Sequence, residues 1–372
     1  MNSPNYEERR HKLLKNFRGQ QDLAVDGMLI TGPANVRYLT GFSGDSSWLF
    51  LAAANTIILS DSRYETQLAD ECPGVDVEIR DASSTSNDMA AGVISKANVK
   101  RIGIESDHLT LSQHAALCGK ITAAQLIPTS GLVERLREVK DPWELAQIRE
   151  AIHIAQRGIA VVRSSLRPGQ TETEVRYLLE AAMRDFGANG TAFEPIVGVG
   201  PTAALPHAHA GSRRISESPI LLIDWGAQTA SHYRSDLTRV FFTGKPTTEM
   251  EQVYKIVLQA QQAAIRAIRP GVKCSDVDKI ARGLIQDAGF GKYFGHGLGH
   301  GFGLEIHESV RMSPLSTQEF EAGMVVTVEP GIYLPGKFGV RIEDDILVTT
   351  EGNEVLSCVP REFEEAIVPF LA

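Results

Sequence analysis

Residues 295–308 read GHGLGHGFGLEIHE, with His296, His300 and His307 set among glycines at 295, 297, 299, 301 and 303. His296 and His300 have the i, i+4 spacing of a helical zinc motif, but Gly295, Gly297 and Gly299 would each cost a helix about 1 kcal/mol relative to Ala. The Glu that such a motif carries directly after its first His is replaced here by Gly297. The stretch therefore reads as an extended loop or strand. Its alternating glycines let backbone run close to a neighbour while the imidazoles aim at a packed site.

The rest of the chain is that of an ordinary globular protein, with 372 residues, 43% apolar and 22% charged. That length makes two domains the natural expectation. The net charge of −9, from 37 basic and 46 acidic residues, comes with no basic run, which argues against nucleic acid or an anionic membrane as partner. The N-terminal stretch MNSPNYEERRHKLLKNFRGQQ is charged from residue 7 onward and has no apolar core, so no targeting leader is expected. The longest apolar run, Trp48–Ala54, is far short of a membrane span. Cys72, Cys118, Cys274 and Cys358 lie far apart without a C-x-x-C pair and read as reduced thiols of a cytoplasmic protein.

Residues 22–130 alternate short β-like runs with helical stretches. Met28–Thr31, Trp48–Ala53, Thr56–Ser60, Val75–Arg80 and Arg101–Glu105 are strand candidates, and Ser62–Glu71, Asn87–Lys96 and Ser112–Ile121 are helix candidates. The result is a compact α/β domain without a catalytic constellation. Asp61, Arg63 and Tyr64 could contact a ligand, but they also fit a solvated helix start. A boundary falls near Gly131–Asp141, where Asp141-Pro142-Trp143-Glu144 supplies an N-cap, a proline at the first helical position and an acid at the third. The expected division is 1–135 and 136–372.

The second domain contains an internal echo. Arg167-Pro168-Gly169 precedes a helix capped at Thr171 with Glu174 three on and ending near Asp185, while Arg269-Pro270-Gly271 precedes one capped at Ser275 with Asp278 three on and ending near Asp287. The two landmarks share one offset, since 269−167 and 287−185 are equal. Two related α/β halves follow.

Each half places a pair of acids on strand-like sequence. Pro219–Gly226 and Tyr233–Phe242 carry Asp224 and Asp236 on a hairpin, and Met324–Gly331 and Gly339–Val348 carry Glu329 and Glu343. Ionised side chains embedded in apolar β sequence are rarely buried unless paired or bound to metal. Taken singly, Asp224 and Asp236 also fit hairpin or cap positions, Glu343-Asp344-Asp345 fits a solvated turn, and His207 and His209 fit a surface loop. Taken together, four carboxylates and one neutral imidazole carry about −4, which matches two divalent cations sharing a water or hydroxide. The implied reaction is hydrolysis of a carbonyl compound, an amide foremost, with Mn ahead of Co or Zn for oxygen-rich ligation.

At this point the motifs resemble a known family. Asp224-x-Gly226, Ser235-Asp236-x-Thr238-Arg239, the histidine stretch, TVEPGIY at 327–333 and GVRIEDD at 339–345 resemble, in order, the pita-bread metallopeptidases, specifically Xaa-Pro dipeptidase (prolidase) and aminopeptidase P. RYLTGFSG at 37–44 and LSDSRYE at 59–65 are similar to the creatinase-type N-terminal domain. The resemblance implies an α/β N-terminal domain followed by an α+β pita-bread (creatinase/aminopeptidase) catalytic domain with internal pseudo-symmetry. It implies Asp224, Asp236, His300, Glu329 and Glu343 as ligands of two divalent metal ions, with Glu329 also shuttling a proton. His207, His296 and His307 would line the substrate site and stabilise the tetrahedral intermediate, and Arg341 would stand behind the ligands to orient their carboxylates, although a structural salt bridge also fits it. A homodimer acting on small peptides is the expected assembly. One departure is the spacing of Asp224 and Asp236, 12 positions (236−224), one longer than most prolidases lead one to expect. The extra residue is placed in the turn around Gln228–Ser231.

Arg311 lies four residues after His307, where sequences resembling prolidase hold an Arg that takes the substrate carboxylate, which suits a bidentate guanidinium. The reading is Xaa-Pro dipeptidase, with aminopeptidase P as the alternative because its smaller members also carry an Arg there. A non-catalytic binding protein on this scaffold is disfavoured because all five ligands are present. Creatinase-like hydrolysis without metal is disfavoured for the same reason. A metal-dependent lyase on the same fold stays open, and methionine aminopeptidase does not fit, since it normally lacks the N-terminal domain.

Overall fold

The computed structural model describes residues 4–19, 24–368 and 370. Met1, Asn2, Ser3, Gln20 and Gln21 of the quoted N-terminal stretch lie outside them. The chain divides into one unit ending at Arg137 and another beginning at Glu138.

In the first unit, six strands form one sheet in the spatial order Asp76–Arg80, Asn55–Asp61, Trp48–Ala52, Gly27–Ile30, Arg101–Glu105, Gln125–Thr129. The middle three strands pair antiparallel and the outer pairings are parallel. Alternate residues of these strands, Leu29, Phe50, Leu59, Ile102 and Ile104 among them, pack with Ala90, Val93, Ile94 and Leu117 of two helices. Those helices, Ser86–Lys96 and Leu111–Lys120, begin in capping boxes at Thr85 and Thr110. The strand Gln125–Thr129 and the helices Tyr6–Gly19 and Pro33–Thr40 add to the elements expected from sequence. The helix expected from Ser62 begins instead at Glu65. Arg63 Nε and Nη2 close a fork on Asp61, each 2.9 Å away, and hold the intervening residues in a turn.

This unit also gathers Glu105, His108 and Glu134 closely enough to suggest a cation. Both oxygens of Glu105 and one of Glu134 already accept hydrogen bonds. Glu105 accepts from Thr31 N (2.6 Å), Gly32 N (2.8 Å) and Asn35 Nδ2 (2.7 Å), and Glu134 accepts from Asn35 Nδ2 (2.6 Å) and His108 Nε2 (2.8 Å). The group is a hydrogen-bonded lock between strand and helix starts.

The second unit is built on two long helices, Pro142–Ser165 and Thr248–Ala267, each followed by a shorter one, Glu172–Asp185 and Cys274–Asp287. Asp141 and Thr171 cap their helices as their sequence motifs predict. The helix expected to be capped by Ser275 starts one residue before it, with Lys273 at the cap position and no side-chain cap. Its start is held by the backbone, because Cys274 N donates to Gln318 O at 2.9 Å. Asp278 is thereby released for another task, binding Arg282 Nη2 at 2.8 Å and Leu298 N at 3.1 Å. It anchors the histidine stretch.

Two three-stranded antiparallel sheets carry the two halves. One is Ile196–Val199, Ile220–Trp225 and Leu237–Phe242, with the middle strand central, and the other is Val325–Val328, Asp344–Val348 and Asn353–Val355. Apart from Asn353–Val355, which is partly exposed, their strands are buried on both faces, which explains why they read as near-continuous apolar runs. Leu221, Ile223 and Trp225 join one core and Ile220 and Leu222 the other. An isolated bridge between Thr238 and Glu343 joins the two halves. Among the described residues no helix is long and apolar enough to cross a membrane.

Candidate active site

Asp224 is the last residue but one of the apolar strand Ile220–Trp225, on the same face as Ile220 and Leu222 and directly opposite Thr238 of the neighbouring strand. Asp236 precedes Leu237–Phe242, Glu329 follows Val325–Val328, and Glu343 precedes Asp344–Val348. Asp236, Glu329 and Glu343 thus sit just outside strand ends and Asp224 close to one, where a side chain can turn into a cavity. His300 stands in the two-residue strand Gly299–His300, paired with Arg311. The alternating glycines have the use expected of them at Gly299, where a Cβ would lie 2.1 Å from Thr327 O. No other residue lets these strands approach so closely.

One cavity of about 580 Å³ is lined by His207, Asp224, Asp236, His296, His300, His307, Arg311, Glu329, Arg341 and Glu343. Every site residue expected from sequence therefore faces the same space. Phe193, Ile306 and Met312 add an apolar wall that the sequence reading did not single out. Between Asp224 and Asp236 the chain turns at Thr229–His232, with His232 N donating to Thr229 O at 2.9 Å and Ser231 Oγ donating to Gln147 Oε1 at 2.5 Å. Both aspartates still reach the cavity.

Asp224, Asp236, His300 and Glu343 are buried, with Glu343 only 1% exposed. Glu343-Asp344-Asp345 is likewise buried throughout, so it is no solvated turn. Asp344 is balanced by Arg239 and Arg361. The cavity acids are not balanced in this way. Burial, followed by the charge of neighbouring carboxylates, pushes Asp236 and Glu343 well above the ordinary carboxylate range. Burial pushes Glu329 up to about 8 against the pull of Arg341, and raises Asp224 although Arg341 pairs with it directly.

Two of the imidazoles, His300 and His296, are held neutral. Burial, then the charge of His307, lowers His300 to about 3, and burial, then Arg341, lowers His296 to about 4. His300 Nδ1 lies 3.2 Å from Gly301 O, which can only accept, so the proton sits on Nδ1 and the Nε2 lone pair faces the acids. That atom lies 3.3 Å from Glu329 Oε1 and 3.6 Å from Asp236 Oδ2. Asp224 Oδ1 is buried with no hydrogen-bond partner among the described residues. Lone pairs of one nitrogen and several oxygens converge without enough donors, and Asp236, His300 and Glu343 bring donor atoms within 4.8 Å of one another. Divalent cations of the Mn, Co or Zn type fit this donor set.

Arg341 lies against one of the cavity acids. Its Nη2 binds Asp224 Oδ2, its Nε donates to Thr238 Oγ1 at 3.0 Å and its Nη1 to Tyr333 Oη at 2.7 Å. Tyr333 then donates to His296 Nε2 at 2.9 Å, and His296 Nδ1 donates to Gly297 O at 2.8 Å. Both nitrogens of His296 are therefore engaged within the protein. His207 and His307 are exposed to the cavity, and the His307 ring packs edge-on against His300 at 4.4 Å. Tyr333, Thr238 and Thr327 went unassigned by the sequence reading, although the threonines carry a signal, standing two residues from Asp236 and Glu329 on strands whose side chains repeat every two.

With this geometry established, comparison with known proteins places the chain. Residues 146–350 match the model of metallopeptidase family M24, and residues 9–139 match the Creatinase/Prolidase N-terminal domain. The uncharacterized peptidase YqhT of Bacillus subtilis (strain 168) is 37% identical over 349 residues, 94% of this chain and 98% of the relative. A solved Xaa-Pro dipeptidase from Bacillus anthracis superposes with a TM-score of 0.91 at 37% identity, covering 99% of this chain and 100% of that one. A solved X-Pro aminopeptidase from Thermotoga maritima MSB8 gives 0.85 at 34% identity, covering 95% and 99%. The fold is thus a creatinase-type N-terminal domain joined to a pita-bread catalytic domain.

Proposed function

The chain belongs to metallopeptidase family M24, and from that premise we propose that it hydrolyses the peptide bond preceding proline in Xaa-Pro dipeptides. Two divalent cations, manganese foremost, would be held by Asp224, Asp236, His300, Glu329 and Glu343. The observation that carries the reading is that Arg311 lines the same cavity as these five side chains. Arg311 Nη1 donates to Glu308 O, and the Nε and Nη2 edge would be the one to meet a substrate. That edge forms a two-point clamp for a free proline carboxylate, the group that separates a dipeptide from a longer peptide.

The cations, when bound, would supply Lewis acidity, easing ionisation of an attacking water and polarising the scissile carbonyl. The protein's own groups do the rest. Glu329, with Oε1 held by Thr327 at 3.2 Å, would take a proton from the water and deliver it to the departing proline nitrogen. His207 and His307, exposed to the cavity, would donate to the carbonyl oxygen as negative charge develops there. His296 would act through Tyr333 and Arg341, since its nitrogens are committed to Gly297 and Tyr333. The wall of Phe193, Ile306 and Met312 would exclude water from the reacting bond. The proposal extends to a cytoplasmic homodimer, supported by family resemblance and by four free cysteines.

The test compares an Xaa-Pro dipeptide with the same dipeptide extended by one residue, using metal-free protein reloaded with Mn, Co or Zn. Cleavage of the dipeptide alone, lost in Arg311→Ala, supports the reading. Preference for the longer peptide would make the protein an aminopeptidase P, a reading favoured by the Thermotoga likeness, and would leave Arg311 without a role. Cleavage of neither would overturn both.

A further inference from the structure

We propose that Thr238 and Thr327 are positioning residues that decide which oxygen of Glu343 and of Glu329 is offered to the cations. The inference rests on the metal-site reading above and assigns a task to two hydroxyls that stand behind the ligands.

Both threonines are fully buried. Thr238 Oγ1 accepts from Arg341 Nε at 3.0 Å, and a guanidinium can only donate. The single hydroxyl proton is therefore committed to Glu343 Oε2, 2.6 Å away. Thr327 repeats the arrangement with a different donor. Its Oγ1 accepts from the backbone N of His300 at 3.1 Å, which again can only donate, so its proton goes to Glu329 Oε1 at 3.2 Å. In each case the acceptor side of the hydroxyl is filled by an obligate donor, and its polarity toward the carboxylate is fixed.

The two devices differ in reach, since Thr238 bonds an acid of the other half, Glu343, and Thr327 bonds Glu329 of its own. Thr238 lies two residues after Asp236 and Thr327 two residues before Glu329, spacings that keep hydroxyl and acid on one face of a strand. Each also ties two ligands together. Thr238 holds Glu343 by side chain and by backbone, since Glu343 N donates to Thr238 O at 3.1 Å, and through Arg341 it reaches Asp224. Thr327 joins Glu329 to the backbone of His300. With one oxygen of each glutamate engaged by a hydroxyl, Oε1 of Glu343 and Oε2 of Glu329 are left as the aimed donors. Hydrogen bonds of this kind raise ligand affinity by removing the freedom of the carboxylate to rotate.

Valine is the informative replacement, because it keeps the branched shape that suits a strand and removes only the hydroxyl. Serine keeps the hydroxyl. Cobalt(II) alone is titrated into metal-free Thr238→Val, Thr327→Val, Thr238→Ser and Thr327→Ser by calorimetry, the visible spectrum of the cobalt form is recorded, and thermal unfolding of the metal-free proteins is measured alongside. Each valine variant is expected to bind cobalt roughly 10- to 100-fold more weakly and with a changed spectrum, while each serine variant stays near the unaltered protein. If a valine variant does not fold, alanine is read in its place. Valine variants that melt earlier but bind cobalt with unchanged affinity and spectrum would show that the hydroxyls only support packing, and would overturn the inference. An unaltered protein that binds no cobalt would overturn the metal reading itself, an outcome distinct from the loss of the threonine effect.

Discussion

His300 Nε2 lies 3.3 Å from Glu329 Oε1 with its lone pair toward that oxygen, because the ring proton is held on Nδ1 by Gly301 O. Unshared pairs packed this closely, with Asp236 and Glu343 beside them, repel unless a proton or a cation in the cavity neutralises the group. A cation that binds the folded state alone stabilises it by RT ln(1 + [L]/Kd), about 2.7 kcal/mol at 100 times Kd. Added Mn is therefore expected to raise the unfolding temperature, EDTA to reverse the gain, and His300→Ala to lose most of it. Scanning calorimetry with and without Mn measures this directly, and an unfolding temperature indifferent to Mn would contradict the site.

A buried ion pair gives the second prediction. Lys140 Nζ lies 2.8 Å from Glu308 Oε2 with both side chains almost fully enclosed, and Glu308 Oε1 accepts from Leu304 N at 3.1 Å. The pair pins the loop that presents Ile306 and His307. Breaking one side of such a pair leaves a buried charge and costs about 3–5 kcal/mol, whereas replacing both with apolar groups can be neutral. Glu308→Gln or Lys140→Met should each lose that much in urea unfolding, and Lys140→Met with Glu308→Leu less than either. Additive losses in the double variant would refute the argument.

How much of this was legible beforehand depends on the range of the interaction. The cavity acids stood out because Asp224, Glu329 and Glu343 are embedded in apolar β-like sequence, a local signal. The caps at Asp141 and Thr171 were legible because a capping box closes within three residues. Ser275 misled for the converse reason, since the helix start it marks is held by Gln318, which no local pattern announces. The chain Arg341–Tyr333–His296 and the hydroxyl of Thr238 on Glu343 likewise join positions far apart in sequence. Family motifs named the acids but said nothing of which nitrogen or oxygen each one presents.

The lock in the first unit predicts a pH dependence. Burial tends to raise the Glu134 carboxyl, but hydrogen bonds from His108 and Asn35 outweigh it and hold the group down to about 2 from its ordinary 4.5. A carboxyl lowered on folding contributes stability that is complete above its unfolded value and is lost as the pH falls toward its folded one. The stability difference between the unaltered protein and Glu134→Gln should therefore be constant above pH 4.5 and shrink between about 4.5 and 2. Its full size is on the order of 2 kcal/mol after allowance for partial exposure. Denaturant unfolding across that range tests it, and a difference that grows as the pH falls would reverse the assigned sign.

The last prediction returns to Gly299. Its Cα faces Thr327 O so closely that an added Cβ would stand 2.1 Å from that oxygen and 2.6 Å from Met312 Cε. The methionine tip can move, but the carbonyl belongs to the strand that also supplies Oγ1 to His300 N. Relief of the clash would have to part the two strands, pulling His300 from the acids and releasing Thr327 from both its partners. Gly299→Ala should therefore cost about 3 kcal/mol or more, at the upper end of overpacking effects, and weaken cobalt binding together with stability. At Gly283, where an added Cβ meets nothing within 4 Å, the same substitution in a helix should stabilise slightly. Comparing the two variants separates the lack of a side chain from the closeness of the strands, and equal stability in both would mean that the strands at Gly299 have room to spare.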